Sequence, residues 1–249
     1  MLGIIGATES EVEDIRAVLS GVVTFERAGI SFYHGSYEGH ECVLAKAGVG
    51  KVNAAICAQA MIDRYKPAAI VNTGTAGGLD VRAHVGDIIL STEAIEHDMD
   101  CTKFGYRPGE IPDLEKSEVF DGVRFKASEE LKRLVMEGAE EAFAALSEDV
   151  LPKDADIRLI EGVILSGDEF VSSKEQKERL MRDFSGSCCE MEGASIAHVC
   201  ALNHVPFLII RAISDSAEEG AAENYHDFEA KAAKRSAALC LGLLKAMKD

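Results

Sequence analysis

The stretch Cys188-Cys189-Glu190-Met191-Glu192-Gly193-Ala194-Ser195, followed by Phe207-Leu208-Ile209-Ile210 and Arg211-Ala212-Ile213-Ser214-Asp215, decides the fold. A helix is predicted from Glu192 to Leu202. The short unbroken apolar run after it has the pattern of a strand buried on both faces. Glu192 and Asp215 therefore fall on consecutive elements of a parallel α/β sheet. A third acid, Glu11, comes just after the first apolar strand, Leu2-Gly3-Ile4-Ile5. In open parallel sheets, ligand groups gather beyond the carboxyl ends of the strands. Acids placed there can move protons on a bound substrate.

Outward from this unit, strand-like and helix-like apolar periods keep alternating. Gly6 ends the first strand, and an amphipathic helix is predicted to about Leu19. A hairpin follows, with strands near Ser31–Tyr37 and Glu41–Lys46 around Glu38-Gly39-His40. Ala47-Gly48-Val49-Gly50 turns into a helix from Lys51 to about Tyr65. Ala68–Asn72 reads as a buried strand closed by a glycine-rich loop, Thr73-Gly74-Thr75-Ala76-Gly77-Gly78. Val85–Ser91 begins another strand, and His97–Pro112 reads as a long irregular loop. Helices are also predicted at Ser128–Leu146, Lys174–Phe184 and Asp227–Lys248, with strands at Ile157–Leu165 and Phe207–Arg211 and a break at Pro152. Serial βα units with one inserted hairpin predict a single domain over residues 1–249, a three-layer α/β/α fold around a central mixed β-sheet.

Composition narrows the function classes. Of 249 residues, 47% are hydrophobic and 28% charged, ordinary globular values with ample material for a core. A formal net charge of −17 argues against a nucleic-acid partner, whose phosphates attract basic faces, and equally against an anionic membrane. The seven cysteines are an odd count in mostly apolar settings, such as Cys42, Cys57, Cys200 and Cys240. Buried free thiols in a reducing compartment fit that pattern better than a disulfide framework. No basic n-region precedes an apolar stretch at the amino terminus, and no run reaches transmembrane length. A cytoplasmic protein is expected.

Several motifs invite cofactor or metal readings and fail them. Gly3-Ile4-Ile5-Gly6-Ala7-Thr8 lacks the third glycine of a dinucleotide fingerprint, and Glu9, Glu11 and Glu13 crowd the position a pyrophosphate would take. Gly48-Val49-Gly50-Lys51 resembles the end of a phosphate loop. Ala45 replaces its first glycine, however, and Val52 stands where Mg²⁺ needs Ser or Thr. His97-Asp98-Met99-Asp100-Cys101 would split between two faces of a strand, so no metal is expected. Thr8-Glu9-Ser10-Glu11 is a good capping box, which competes with a catalytic reading of Glu11. Glu192 could simply stabilise a helix start, and Asp215 a turn. Glu190 and Glu192 should face opposite ways in an extended segment and so serve different roles.

Together the motifs resemble a known family. Gly3-Ile4-Ile5-Gly6-Ala7 with Glu11, Asn72–Gly78, Ser166-Gly167-Asp168-Glu169-Phe170, Glu190–Ala194 and Arg211–Asp215 occur in the order and spacing of the bacterial 5′-methylthioadenosine/S-adenosylhomocysteine nucleosidases. These belong to the nucleoside phosphorylase/hydrolase superfamily. The resemblance covers nearly the whole chain and weakens between Pro112 and Ile157. It implies a nucleoside phosphorylase-like fold, adenine nucleosides as small-molecule partners, and no metal or organic cofactor. It makes Glu11 the base that activates water and Asp215 the acid that protonates adenine N7. Glu192 would hold the ribose hydroxyls, with Met191 against the sugar. Phe170 would stack on the purine while the Val171 backbone reads its edge. Thr75, Ala76 and Gly77 would approach the substrate from the glycine-rich segment, and Glu190, Ser214 and Tyr225 would complete the pocket. A homodimer is implied, in which Phe104, Tyr106 and Pro112 form a lid over the neighbouring subunit's site. Thr8 stands where many members carry Met, and Tyr225 where Phe is frequent. Two rival readings accompany this one. One is another purine nucleoside hydrolase, of futalosine type, or a phosphate-using phosphorylase. The other is a catalytically silent nucleoside-binding module.

Overall fold

The computed structural model describes residues 1–151, 157–219 and 221–247, and the side chains at 222–227 lie outside that description. The strands are β1 (Leu2–Gly6), β2 (Ser20–Arg27), β3 (Ile30–Tyr37), β4 (His40–Lys46), β5 (Ala69–Gly78), β6 (Ile88–Glu96), β7 (Phe125–Lys126), β8 (Leu159–Ser166), β9 (Cys188–Glu190) and β10 (Phe207–Asp215). The helices are α1 (Glu9–Val18), α2 (Lys51–Tyr65), α3 (Glu129–Ala144), α4 (Lys174–Phe184), α5 (Gly193–Leu202) and α6 (Ala221–Ala246).

These elements build the α/β/α architecture with a central mixed sheet. Its strand order is β10-β6-β8-β9-β5-β1-β4-β3-β2, with β7 beside β6. β5 also pairs with β10, so β5, β10, β6, β8 and β9 close into a ring at one end of the sheet. β1 runs parallel to both β4 and β5, and β10 runs parallel to β5, while β9 meets β5 antiparallel. α2 packs on α5, and α1 and α3 pack on α6. The core is aliphatic: Leu2, Ile4, Ile5, Ile70, Val71 and Leu208 through Ile210 are fully buried on the central strands. Each such side chain contributes roughly 1.5–3 kcal/mol by leaving water. Six of the seven cysteines are buried free thiols; burial pushes Cys57, Cys200 and Cys240 up to about 12.

Three departures from the sequence reading stand out, the first of them at the site. The glycine-rich segment is strand, since β5 continues through Gly78 instead of ending at Asn72. β10 supplies its ladder, pairing Gly74 with Arg211 and Gly77 with Asp215, and β9 takes Gly77 and Gly78 on the other side. β2 carries no alternation because nearly all of it is exposed at the sheet edge. The last helix begins at Ala221, ahead of the expected Asp227. The weakly matched middle of the chain holds β7 and α3, whereas the expected break at Pro152 lies outside the described residues. Among the described residues, no helix is long and apolar enough to cross a membrane.

Candidate active site

A cavity of about 230 Å³ opens where β1, β5, β9 and β10 end. It gathers Glu11, Thr75, Ala76, Gly77, Phe170, Val171, Glu190, Met191, Glu192, Ser214 and Asp215, all of them expected from the sequence. Phe104, Tyr106 and Pro112 do not line it; they lie on the segment between β6 and β7. The Tyr225 side chain lies outside the described residues.

Glu11 both caps its helix and faces the cavity. Oε2 accepts from the amides of Ala7 at 2.6 Å and Thr8 at 3.1 Å. Oε1 crosses to β5 and accepts from Thr75 N at 3.1 Å. The capping and pocket readings therefore do not exclude each other, because a carboxylate has lone pairs for both. The crossing depends on Gly74, where a Cβ would collide with Glu11 Oε1 and Arg211 Nη1.

Arg211 organises the acids. It is 1% exposed, in the otherwise apolar run Phe207–Ile213, and a charge so placed must be paired. Its Nη2 donates to Glu190 Oε2 and to Asn72 Oδ1, and lies 3.6 Å from Glu192 Oε2. Its Nη1 is 3.8 Å from Glu11 Oε1. Glu190 and Glu192 thus converge on one guanidinium, which corrects the expectation of opposite faces. The chain turns after β9 into α5, and Glu190 bends back to accept from the amides of Glu192 (3.0 Å) and Gly193 (2.9 Å). Glu190 is further held by the Ser166 hydroxyl, so its acceptor sites are largely occupied by the protein. Glu192 keeps more freedom: among the described residues Oε1 accepts from one amide, that of Gly50 at 2.9 Å.

Three carboxylates around one cation leave unbalanced negative charge in a buried place. Burial raises the Glu192 pKa, and repulsion from Glu190 adds to it, against the pull of Arg211 and the Gly50 amide. Burial likewise raises Glu11, opposed by Arg211 and by the amides of Thr8, Ala7 and Thr75. Arg211 itself loses hydration on burial, but Glu190, Glu11 and Glu192 more than compensate and keep it charged.

Asp215 stands apart from this cluster. Its Oδ1 accepts from Ala217 N and its Oδ2 from the Ser214 hydroxyl, both at 2.8 Å. Burial raises its pKa, against those two bonds and the charge of Lys177. A carboxyl whose pKa is raised by burial beside a cavity is a candidate proton donor. Phe170 leaves 47% of its surface exposed at the rim, and Val171 is buried beside it.

His97, Asp98 and their neighbours point elsewhere. Asp98 pairs with Lys51 at 2.5 Å, as does Glu96 at 3.2 Å, and Glu96 also meets His198 Nδ1 at 2.9 Å. Among the described residues no cluster has the makings of a metal site. The sequence reading gave Arg211 no role of its own. Its signal was a lone charge in the apolar run Phe207–Ile213, which needs buried partners to be tolerated.

The mixed sheet, the closed ring of strands and a carboxylate-lined cavity at the strand ends define a protein of the phosphorylase type. The sequence profile of the Phosphorylase superfamily matches residues 1–245, and the chain belongs to that superfamily. Within it the chain belongs to the 5′-methylthioadenosine/S-adenosylhomocysteine nucleosidases. It is 41% identical to the enzyme of that name from Treponema pallidum, across 98% of this chain and 92% of the relative. The solved nucleosidase of Neisseria meningitidis in complex with methylthio-immucillin-A superposes with a TM-score of 0.85 at 35% identity, covering 99% of both chains. The futalosine hydrolase of Helicobacter pylori superposes with a TM-score of 0.87 at 32% identity, over 99% of this chain and 97% of that one.

Proposed function

We propose that this protein hydrolyses the N-glycosidic bond of 5′-methylthioadenosine and S-adenosylhomocysteine, releasing adenine and the 5-thioribose product. The observation that carries the reading is the division of the cavity. Glu11 and Glu192 share a buried guanidinium on one side, and Asp215, held separately by the Ala217 amide and the Ser214 hydroxyl, stands on the other. Breaking the C1′–N9 bond builds positive charge on the sugar and negative charge on the leaving base. Asp215 gives its proton to N7 and relieves the second, while the Glu11 and Glu192 carboxylates favour the first. Water attacks C1′ and passes its proton to Glu11. Each proton transfer is worth roughly a hundred- to ten-thousand-fold in rate. Glu192 and Met191 hold the ribose, Phe170 stacks on the purine, the Val171 backbone reads its edge, and Thr75, Ala76, Gly77, Glu190, Ser214 and Tyr225 complete the pocket. So written, the reaction draws on neither a metal nor an organic cofactor. We infer in addition that residues 1–249 act as one domain, in the cytoplasm, as a homodimer whose Phe104, Tyr106 and Pro112 cover the neighbour's cavity.

Water rather than phosphate is the nucleophile. A phosphate would need free cationic groups, but Asn72 and three carboxylates already take up Arg211. The test is adenine and sugar release from methylthioadenosine with and without phosphate. Equal rates and a free thioribose are expected. A strict phosphate requirement, or a pentose 1-phosphate product, overturns hydrolysis; failure to release any base favours the silent binding module.

A further inference from the structure

The Asp215 carboxyl is held by a peptide unit that is itself gripped from outside the cavity. Ala217 N donates to Asp215 Oδ1 at 2.8 Å, and the carbonyl at the other end of that same Ser216–Ala217 peptide accepts from Lys177 Nζ at 2.7 Å. A peptide is planar, so fixing its oxygen fixes the direction of its N–H. Ala217 sits at φ +53°, a left-handed conformation that a non-glycine residue keeps only when its surroundings impose it. Lys177 contributes to that constraint, beside the packing of the fully buried Ala217 against its neighbours. Its side chain is 15% exposed, and its Nζ also lies 2.9 Å from Glu218 Oε1 in the same loop. Lys177 belongs to α4, the helix that follows Phe170 and Val171, so one side chain ties the two walls of the base end of the cavity together.

We propose that Lys177 is a positioning residue for proton transfer: by gripping the Ser216 carbonyl it aims the Ala217 amide, and thereby Asp215, at the leaving base. This rests on the nucleosidase reading and assigns its acid a support that lies off the substrate. Among the described residues, the groups facing Asp215 are Lys177 from α4, with Glu218 paired to it, and the Cys189 thiol from β9, which burial keeps neutral. Lys177 also places positive charge near the carboxyl, which lowers its pKa. Asp215 acts in its protonated form, so removing that charge must move the alkaline limb of the kcat profile to higher pH.

The experiment compares wild type, Lys177→Met, Lys177→Gln and Lys177→Arg for methylthioadenosine kcat, KM, pH profile and thermal midpoint. Met keeps the stem and Gln keeps a neutral donor. Misaimed proton transfer predicts a loss of about ten- to a hundred-fold in kcat for Met, with KM within about two-fold. The alkaline limb shifts upward in both neutral variants, and Arg restores both rate and limb. Wild-type kcat and an unmoved limb in Lys177→Met overturn the proposal. So does an Arg variant as slow as Met, or rate losses that merely track falling thermal midpoints. A wild-type enzyme that releases no adenine defeats the nucleosidase reading itself, and Lys177 loses its role with it.

Discussion

The three acids occupy different environments and should fail differently. Asp215→Asn removes the proposed proton donor, so kcat should fall by about a hundred-fold or more. Glu11→Gln should act mainly on kcat as well. Glu192→Ala should raise KM too, because bonds to the ribose hydroxyls form before the transition state. Near-normal turnover in Asp215→Asn would make the acid assignment untenable. The same residue carries a stability signature. Burial raises the folded-state pKa of Asp215 above its ordinary value of 3.8. Its favourable contribution is therefore complete below that ordinary value and is lost as pH rises through the folded-state pKa. Asparagine has no such loss. The thermal midpoint of Asp215→Asn minus that of wild type should grow with rising pH and then level off above the folded-state pKa. A difference that shrinks over that range would reverse the sign of the shift.

Among the elements, β5 best illustrates what the sequence could and could not convey. Its apolar first half was legible, but Thr73–Gly78 carries so many small residues that it reads as a loop. Only the pairing with β10 and β9, distant in sequence, makes it strand. The helices α2 and α4 were legible to the residue because local signals mark their starts, the turn Gly48-Val49-Gly50 for one and the Ser173 cap for the other. β2 and β9 were not: one is an exposed edge without alternation, the other only three residues long. The acids were recoverable from motifs, but the convergence of Glu11, Glu190 and Glu192 on Arg211 arises only when four elements meet. Gly74 shows why that meeting constrains sequence. An alanine methyl there would strike Arg211 Nη1 and Glu11 Oε1, neither of which can move without losing buried partners. Gly74→Ala should cost about 1–3 kcal/mol in stability. Activity should suffer more than that implies, falling about a hundred-fold at a temperature where the variant is still folded. The check is kcat beside circular dichroism melting; full activity with a wild-type midpoint would mean the close approach is not needed.

For the whole molecule, the telling feature is aromatic surface without a local use. Phe104 is 83% exposed on a one-turn 3-10 helix, and Tyr106 follows two residues on, both away from their own cavity. Large exposed apolar side chains suit an interface, and the proposed homodimer would give them one, over the neighbour's 5′ end. There the partner subunit's Phe104 and Pro112 would join Val49, 51% exposed at the rim, and Met191 in a wall without fixed charge. Light scattering at micromolar concentration should report a dimer, and a fully active monomer would refute the shared site. Such a wall discriminates by the 5′ substituent. Burying a methylthio group gains roughly 1–2 kcal/mol at about 25 cal/mol per Å². A bare 5′-hydroxyl gives up water without an assured partner. Methylthioadenosine should therefore exceed adenosine by about ten-fold or more in kcat/KM. S-adenosylhomocysteine should be accepted with its charged tail in solvent. A futalosine-type nucleoside, with a bulky aromatic carboxylate at the same end, should be poorer, because that anion would enter a protein of net charge −17 beside an apolar wall. All four compounds should be compared with one enzyme preparation. Adenosine at or above methylthioadenosine would remove the apolar pocket from the account, and a futalosine-type compound at the top would move the chain's substrate to that branch of the superfamily.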